Sequence, residues 1–268
     1  MLMWKNTKTL DGLINNLTIT ESKLDSEIVL MGSKSIDIKE FPNIKGIFRV
    51  GISETNVPIK EARSRNIKVR FPSEKTKNYI YDETANFTCG LIFNSNYQNL
   101  GDIDLWEKGN RKALSEKNLL VIGAGKIGDR VYKRMKKFMI VNVYDPYLYE
   151  ENDLSKLLPK ADFVSIHVPD TDDNENFFDK KLLAMMKDDS RLINTSRGRI
   201  VNEDALFDEL NSERLFASFD VFWREPYNGK LKELHPTRFS MTPHIASTCD
   251  EFLHGSTEDL NKFIKELK

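Results

Sequence analysis

The chain has 268 residues, 40% of them hydrophobic, and its 40 basic and 41 acidic side chains leave a net charge of -1. That length suits one large core or two of ordinary size, and the balanced charge argues against nucleic acid as a partner. Cys89 and Cys249 lie far apart and form no metal-like or redox pair, while the start "MLMWKNTKTL" has no apolar export signal; a soluble, cytoplasmic protein with no metal and no membrane partner is expected.

Short β-rich runs come first: "IVLMG" (28–32), "IKGIFRVG" (44–51) and "NIKVRFP" (66–72), separated by polar or helical segments such as "VPIKEARSRN". Such alternation predicts parallel α/β packing. "DETANFTCGLIFNSN" reads as a helix leaving this part, and the polar stretch 98–117 as a connection. In "NLLVIGAGKIGDRVYKRMKKFMIVNVYDPY" a continuous apolar strand runs into glycines. Ile127, Val131, Met135 and Phe138 then recur at helical spacing, before a second strand that ends at Asp145. This is a βαβ unit. Further strands are expected at 162–168, 190–196, 215–222 and 238–244, with helices in "KKLLAMMK" and "EDALFDEL". The second part is therefore a doubly wound sheet.

Gly123, Gly125 and Gly128 form G-x-G-x-x-G at a strand-to-helix turn. The first glycine permits the tight turn, the second lets a pyrophosphate approach the backbone, and the third lets helix and strand pack closely. Alone the triplet is weak, but Asp145 stands at the expected distance to accept both ribose hydroxyls and to repel a 2′-phosphate. NAD is the expected cofactor.

Three ionisable residues follow strand ends: Arg197 after "LINTS", Glu225 in "DVFWREP" and His244 in "MTPHIAS". Each alone has a bland reading as a structural clamp, a solvated carboxylate or a hydrogen-bonded turn residue. Together they suit hydride transfer to a 2-oxo acid, which needs a cation on the carboxylate and an acid at the oxygen. Arg197 can hold the carboxylate as a fork, His244 can donate the proton, and Glu225 can orient the ring. Asp220 can receive the nicotinamide carboxamide. Gly198 is expected to let the chain turn sharply beside the ligand.

At these residues the sequence resembles the D-isomer-specific 2-hydroxyacid dehydrogenases. "VIGAGKIG", "VYDPY", "ADFVSIHVPDT", "LINTSRGRIVNEDAL", "DVFWREP" and "TPHIAS" occur in the family's order, over about residues 44–250. The resemblance implies an α/β protein of two Rossmann-like doubly wound parallel-sheet domains. An NAD-binding domain (99–246) would be inserted into a flavodoxin-like substrate domain (1–98 with 247–268). Cofactor contacts are implied at Gly123, Gly125, Lys126, Ile127, Gly128, Asp145, His167, Val168, Pro169, Thr195, Ser196 and Asp220. "RVGISETNV" resembles the substrate loop, with Arg49 as in the phosphoglycerate dehydrogenase branch and the backbone N–H groups of Val50, Gly51 and Ile52 meeting the substrate carboxylate. The segment from Asp145 to His167 is short and implies one small strand fewer. A cytoplasmic homodimer that oxidises or reduces a small 2-hydroxy or 2-oxo acid follows, possible substrates being 3-phosphoglycerate and glycerate-like acids. The alternative is an NAD(H)-sensing protein of the corepressor type.

Overall fold

The computed structural model describes residues 1–98, 100–148 and 153–268. In chain order the elements are β1 (Leu2–Lys5), β2 (Thr18–Ile19), β3 (Ile28–Met31), β4 (Gly46–Arg49), α1 (Ile59–Ser64), β5 (Lys68–Arg70), α2 (Glu74–Asn96), β6 (Gly101–Asp102), β7 (Glu107–Lys108) and β8 (Asn118–Ile122). They continue as α3 (Gly128–Met135), β9 (Ile140–Tyr144), α4 (Leu154–Leu157), β10 (Phe163–Ile166), α5 (Lys180–Met185), β11 (Arg191–Asn194), α6 (Glu203–Asn211), β12 (Phe216–Phe219), β13 (Phe239–Met241) and α7 (Asp250–Leu267). They fall into two compact units, Met1–Ile80 with Thr248–Lys268, and Tyr81–Ser247. The boundary expected at residue 99 lies outside the described residues.

The first unit is a parallel sheet in the order β2-β1-β3-β4-β5, which is the flavodoxin-like order. Every residue of β3 and β4 is buried, as a parallel sheet covered on both faces requires. Phe252, Leu260 and Phe263 of α7 pack on Leu30 and Phe48, while Val29 and Ile47 join Phe41 and Ala62 in a separate apolar cluster. β1 and β2 were not expected from the sequence. Helix α2 starts at Glu74, earlier than its apolar stretch suggests, because Ser73 Oγ accepts the N–H of Thr76 while Asp259 takes the Ser73 N–H and the Thr76 hydroxyl. Serine in that place satisfies a first-turn N–H that has no partner within the helix.

The second unit holds six parallel strands in the order β13-β12-β11-β10-β8-β9. Because β9 and β10 leave β8 on opposite sides, the crevice beyond the carboxyl end of β8 is a switch point where such sheets bind ligands. Among the described residues no strand stands between β9 and β10, where the sequence implies one fewer than usual. Val131 and Met135 of α3 are wholly buried. Phe138, expected on the same helical face, lies beyond the end of α3; half of it is exposed and its ring sits edge-on to Phe93 at 5.3 Å. Met139 is buried in its place. The stretch expected to be a plain connection contains the antiparallel hairpin β6–β7.

Candidate active site

All the expected residues of the second unit lie at the carboxyl ends of its strands. After β8, Gly123 takes φ +89, and a Cβ there would strike the carbonyl of His167. A Cβ on Gly128 would overlap the Gly123 carbonyl, so helix and strand can approach only through that glycine. Gly125 faces open space, with nothing within 4 Å of where a Cβ would stand. Lys126 is exposed and Ile127 precedes the first turn of α3. Asp145, just past β9, accepts the N–H of Ala124 at 2.8 Å and of Tyr147 at 3.0 Å, which ties it to the glycine loop. This cradle fits a dinucleotide: an open glycine, a helix start, and a carboxylate at the end of the neighbouring strand.

Beyond β10, His167 Nε2 lies 2.8 Å from Ser165 Oγ, and burial pushes its imidazole down to about 3. The ring is therefore neutral beside the loop across the physiological range. Ser196 donates its hydroxyl to the Val168 carbonyl at 2.6 Å, joining the turns after β10 and β11; Pro169 is exposed. Thr195 is buried, with its hydroxyl 2.8 Å from that of Thr88 on α2, so it faces the helix.

The turn after β11 is clamped by the buried Asn194, whose amide donates to the Arg197 carbonyl while its oxygen accepts the Ser196 N–H. Arg197 projects from this clamp with extended backbone, φ -148 and ψ 143. Its Nη1 donates to the Ser196 carbonyl at 2.6 Å, and its Nε lies 3.6 Å from Asp170 Oδ2. Asp170 is shared with Arg199, which also pairs with Asp172 and Glu175. Among the described residues Arg197 Nη2 has no partner.

Gly198 corrects an expectation. Its φ is not in the left-handed region, so it is not there to permit a sharp turn. A Cβ at 198 would overlap the backbone of Phe222 and Trp223, the loop that carries Glu225. The missing side chain lets the two loops touch backbone to backbone. Trp223 strengthens the joint by donating its indole N–H to the Val201 carbonyl at 2.6 Å.

Glu225 Oε1 accepts the Phe222 N–H at 3.1 Å, and Oε2 lies 2.8 Å from His244 Nδ1. Burial raises the Glu225 carboxyl, but the hydrogen bond and charge of His244, the Phe222 N–H and the Arg197 charge together bring it below the ordinary glutamate value. His244 Nε2 has no partner among the described residues. Asp220 is wholly buried (0% exposed) and offers no surface to a ligand; its carboxylate accepts the Thr242 hydroxyl and the N–H groups of Ile245 and Ala246. Thr242, Asp170 and Trp223 escaped the sequence reading, since none stands in a spacing that marks it.

In the first unit, Arg49 is buried at the end of β4, donating to the Val50 carbonyl and to Asn56 Oδ1. Gly51 has φ +124 and lies against that guanidinium. The Val50 N–H, expected to meet a substrate carboxylate, instead donates to the Met31 carbonyl at 2.9 Å, because the β3–β4 ladder runs one residue past the strand. The N–H groups of Gly51 and Ile52 have no partner among the described residues.

Residues 95–246 match the family model for the NAD-binding domain of D-isomer-specific 2-hydroxyacid dehydrogenases. Over 243 residues the chain is 33% identical to a hydroxypyruvate reductase of Thermotoga maritima, covering 84% of this chain and 78% of the relative. It is 28% identical to a glyoxylate reductase of Thermococcus litoralis, covering 96% of this chain and 80% of that one. Among solved structures, a D-lactate dehydrogenase of Aquifex aeolicus in complex with NAD and lactic acid shares the fold with a TM-score of 0.80 at 22% identity, covering 99% of this chain and 94% of the other.

Proposed function

The chain belongs to the D-isomer-specific 2-hydroxyacid dehydrogenase family, NAD-linked oxidoreductases, and from that premise we propose that it interconverts a small D-2-hydroxy acid and its 2-oxo acid, with glycerate-like acids, 3-phosphoglycerate included, as the substrate class. The observation that carries the reading is the His244–Glu225 pair on the same sheet edge as Arg197 and the glycine loop. NAD(H), when bound, supplies the hydride in reduction and accepts it in oxidation.

Arg197 holds the substrate carboxylate through the guanidinium face that Asp170 and Ser196 leave open, and its charge polarises the neighbouring carbonyl. His244 has its Nδ1 committed to Glu225, so Nε2 gives a proton to the substrate oxygen as charge builds there and takes it back in the reverse direction. Glu225 fixes the ring and its tautomer. Gly123, Gly125, Gly128 and Asp145 hold the dinucleotide, with Lys126, Ile127, His167, Val168, Pro169 and Ser196 around it. We assign this work to the second unit and substrate selection to the first, where Arg49 and the open N–H groups of Gly51 and Ile52 suit an anionic substrate.

The same reading makes the enzyme a cytoplasmic homodimer. Both cysteines are free thiols, in keeping with a reducing compartment. The β6–β7 hairpin supports the dimer: Ile103 and Trp106 are 78% and 80% exposed, and an isolated two-stranded ribbon of this size is marginal in water without something to pack against. Relatives named as reductases favour turnover over a silent NAD(H)-sensing role.

Absorbance-monitored NADH oxidation across glyoxylate, hydroxypyruvate, phosphohydroxypyruvate, pyruvate and branched 2-oxo acids tests the proposal. Turnover on one of them, abolished in His244→Ala, is expected. Tight NADH binding with no turnover on any member of the panel would overturn it in favour of sensing.

A further inference from the structure

We propose that Asp220 and Thr242 form a latch that holds His244 in the position from which it transfers its proton, and that both are positioning residues of the reaction. The inference rests on the reading of His244 as the proton donor.

The latch grows out of strand register. β12 and β13 pair with Phe219 opposite Met241, and the Thr242 N–H extends the ladder to the Phe219 carbonyl at 3.0 Å. The residue just after β12 is Asp220, whose own N–H continues the ladder to β11 through the Asn194 carbonyl at 3.0 Å. Its backbone is therefore anchored in the sheet, and its side chain lies beneath the turn that follows β13.

The three donors that reach this carboxylate bracket the histidine. Oδ1 accepts the Thr242 hydroxyl at 2.6 Å and the Ile245 N–H at 2.9 Å; Oδ2 accepts the Ala246 N–H at 2.9 Å. Between them His244 adopts φ 55, a left-handed conformation that non-glycine residues take in only a few per cent of cases, histidine more readily than most, and its N–H bonds the Thr242 carbonyl at 3.0 Å. A residue keeps such a backbone only where its surroundings over-determine it. Here the surroundings are the Asp220 carboxylate on one side and, through Nδ1, Glu225 on the other. Burial raises the Asp220 carboxyl, while the three donors and His244 oppose that rise. Three convergent donors suit an ionised acceptor, because a protonated carboxyl would turn a donor of its own toward one of them.

Thr242→Val removes one donor from the latch and keeps the shape of the side chain. Thr242→Ser restores the hydroxyl. Asp220→Asn sets an amide donor against the backbone N–H groups, and serves as the more severe variant. The measurements are kcat and KM on the 2-oxo acid panel, NADH affinity by fluorescence titration, the solvent deuterium isotope effect on kcat, and amide hydrogen exchange of the peptide spanning 242–247.

A misplaced proton donor costs turnover steeply, so Thr242→Val should lose about tenfold or more in kcat. The solvent isotope effect should rise as proton transfer becomes limiting, the Ile245 and Ala246 amides should exchange faster, and NADH affinity should hold. Thr242→Ser should recover most of the loss. An unchanged kcat in Thr242→Val, or a kcat that falls only in step with NADH affinity, would overturn the latch while leaving the proposed reaction standing. A wild type that turns over no member of the panel would overturn the proposed reaction, and this inference with it.

Discussion

His244 Nδ1 lies 2.8 Å from Glu225 Oε2, across 19 positions of sequence, on loops that follow two neighbouring strands of one sheet. The contact fixes which ring nitrogen is left free. In the proposed reaction it also makes the carboxylate part of the proton donor.

Glu225→Gln should lower kcat on the order of 10²-fold, since the ring loses the partner that sets its tautomer. The same substitution has a signature in stability. Glu225 is held below its ordinary value of 4.5 in the folded protein, so its ionised form adds stability above that value and loses it as pH falls through the folded value. The gap in stability between wild type and Glu225→Gln, measured by urea unfolding, should be full at neutral pH and close below about 4.5. A gap that does not change with pH would remove the charge of Glu225 from the account.

Arg197→Ala should cut kcat/KM for any 2-oxo acid by on the order of 10³-fold, because a charge-assisted fork and the carbonyl's polarising charge go together. NADH titration should barely change. If turnover survives, Arg197 is not the carboxylate ligand.

Asp145→Ser should weaken NADH by about tenfold and narrow the preference over NADPH, as hydrogen bonds to a charged group contribute about 1.5–3 kcal/mol. Steady-state kinetics with both cofactors checks this. A ratio equal to that of wild type would move the ribose contact elsewhere.

Trp106→Asp places a charge on the most exposed large apolar side chain of the β6–β7 hairpin. Sedimentation equilibrium should then show a monomer where the wild type shows a dimer. A wild type that is monomeric at micromolar concentration would end the proposed homodimer.

Much of this fold and site is legible in the chain itself. Strands β3, β4, β8 and β10 are mostly apolar and, apart from Asn118 at the start of β8, buried on both faces, and that near-continuity is visible one residue at a time. The glycine loop is equally plain, since Gly123 and Gly128 answer local steric demands and Gly125 leaves the turn between them open. What escaped depends on register or on short-range capping. β6 and β7 are two residues each and leave no alternation to see. The Val50 N–H looks free in the sequence and is taken by Met31 only because β3 and β4 pair as they do. Thr242 lies two residues before His244, yet its hydroxyl matters only because β12 delivers Asp220 beneath it.

The joint at Gly198 carries a lesson for anyone wishing to redesign this protein. With no side chain between them, the segment bearing Arg197 and the segment bearing Glu225 form a single machined fit, so neither loop can be lengthened or shuffled without its mate. A library meant to change the protein's specificity should leave 196–201 and 220–226 untouched and place its diversity outside these two segments.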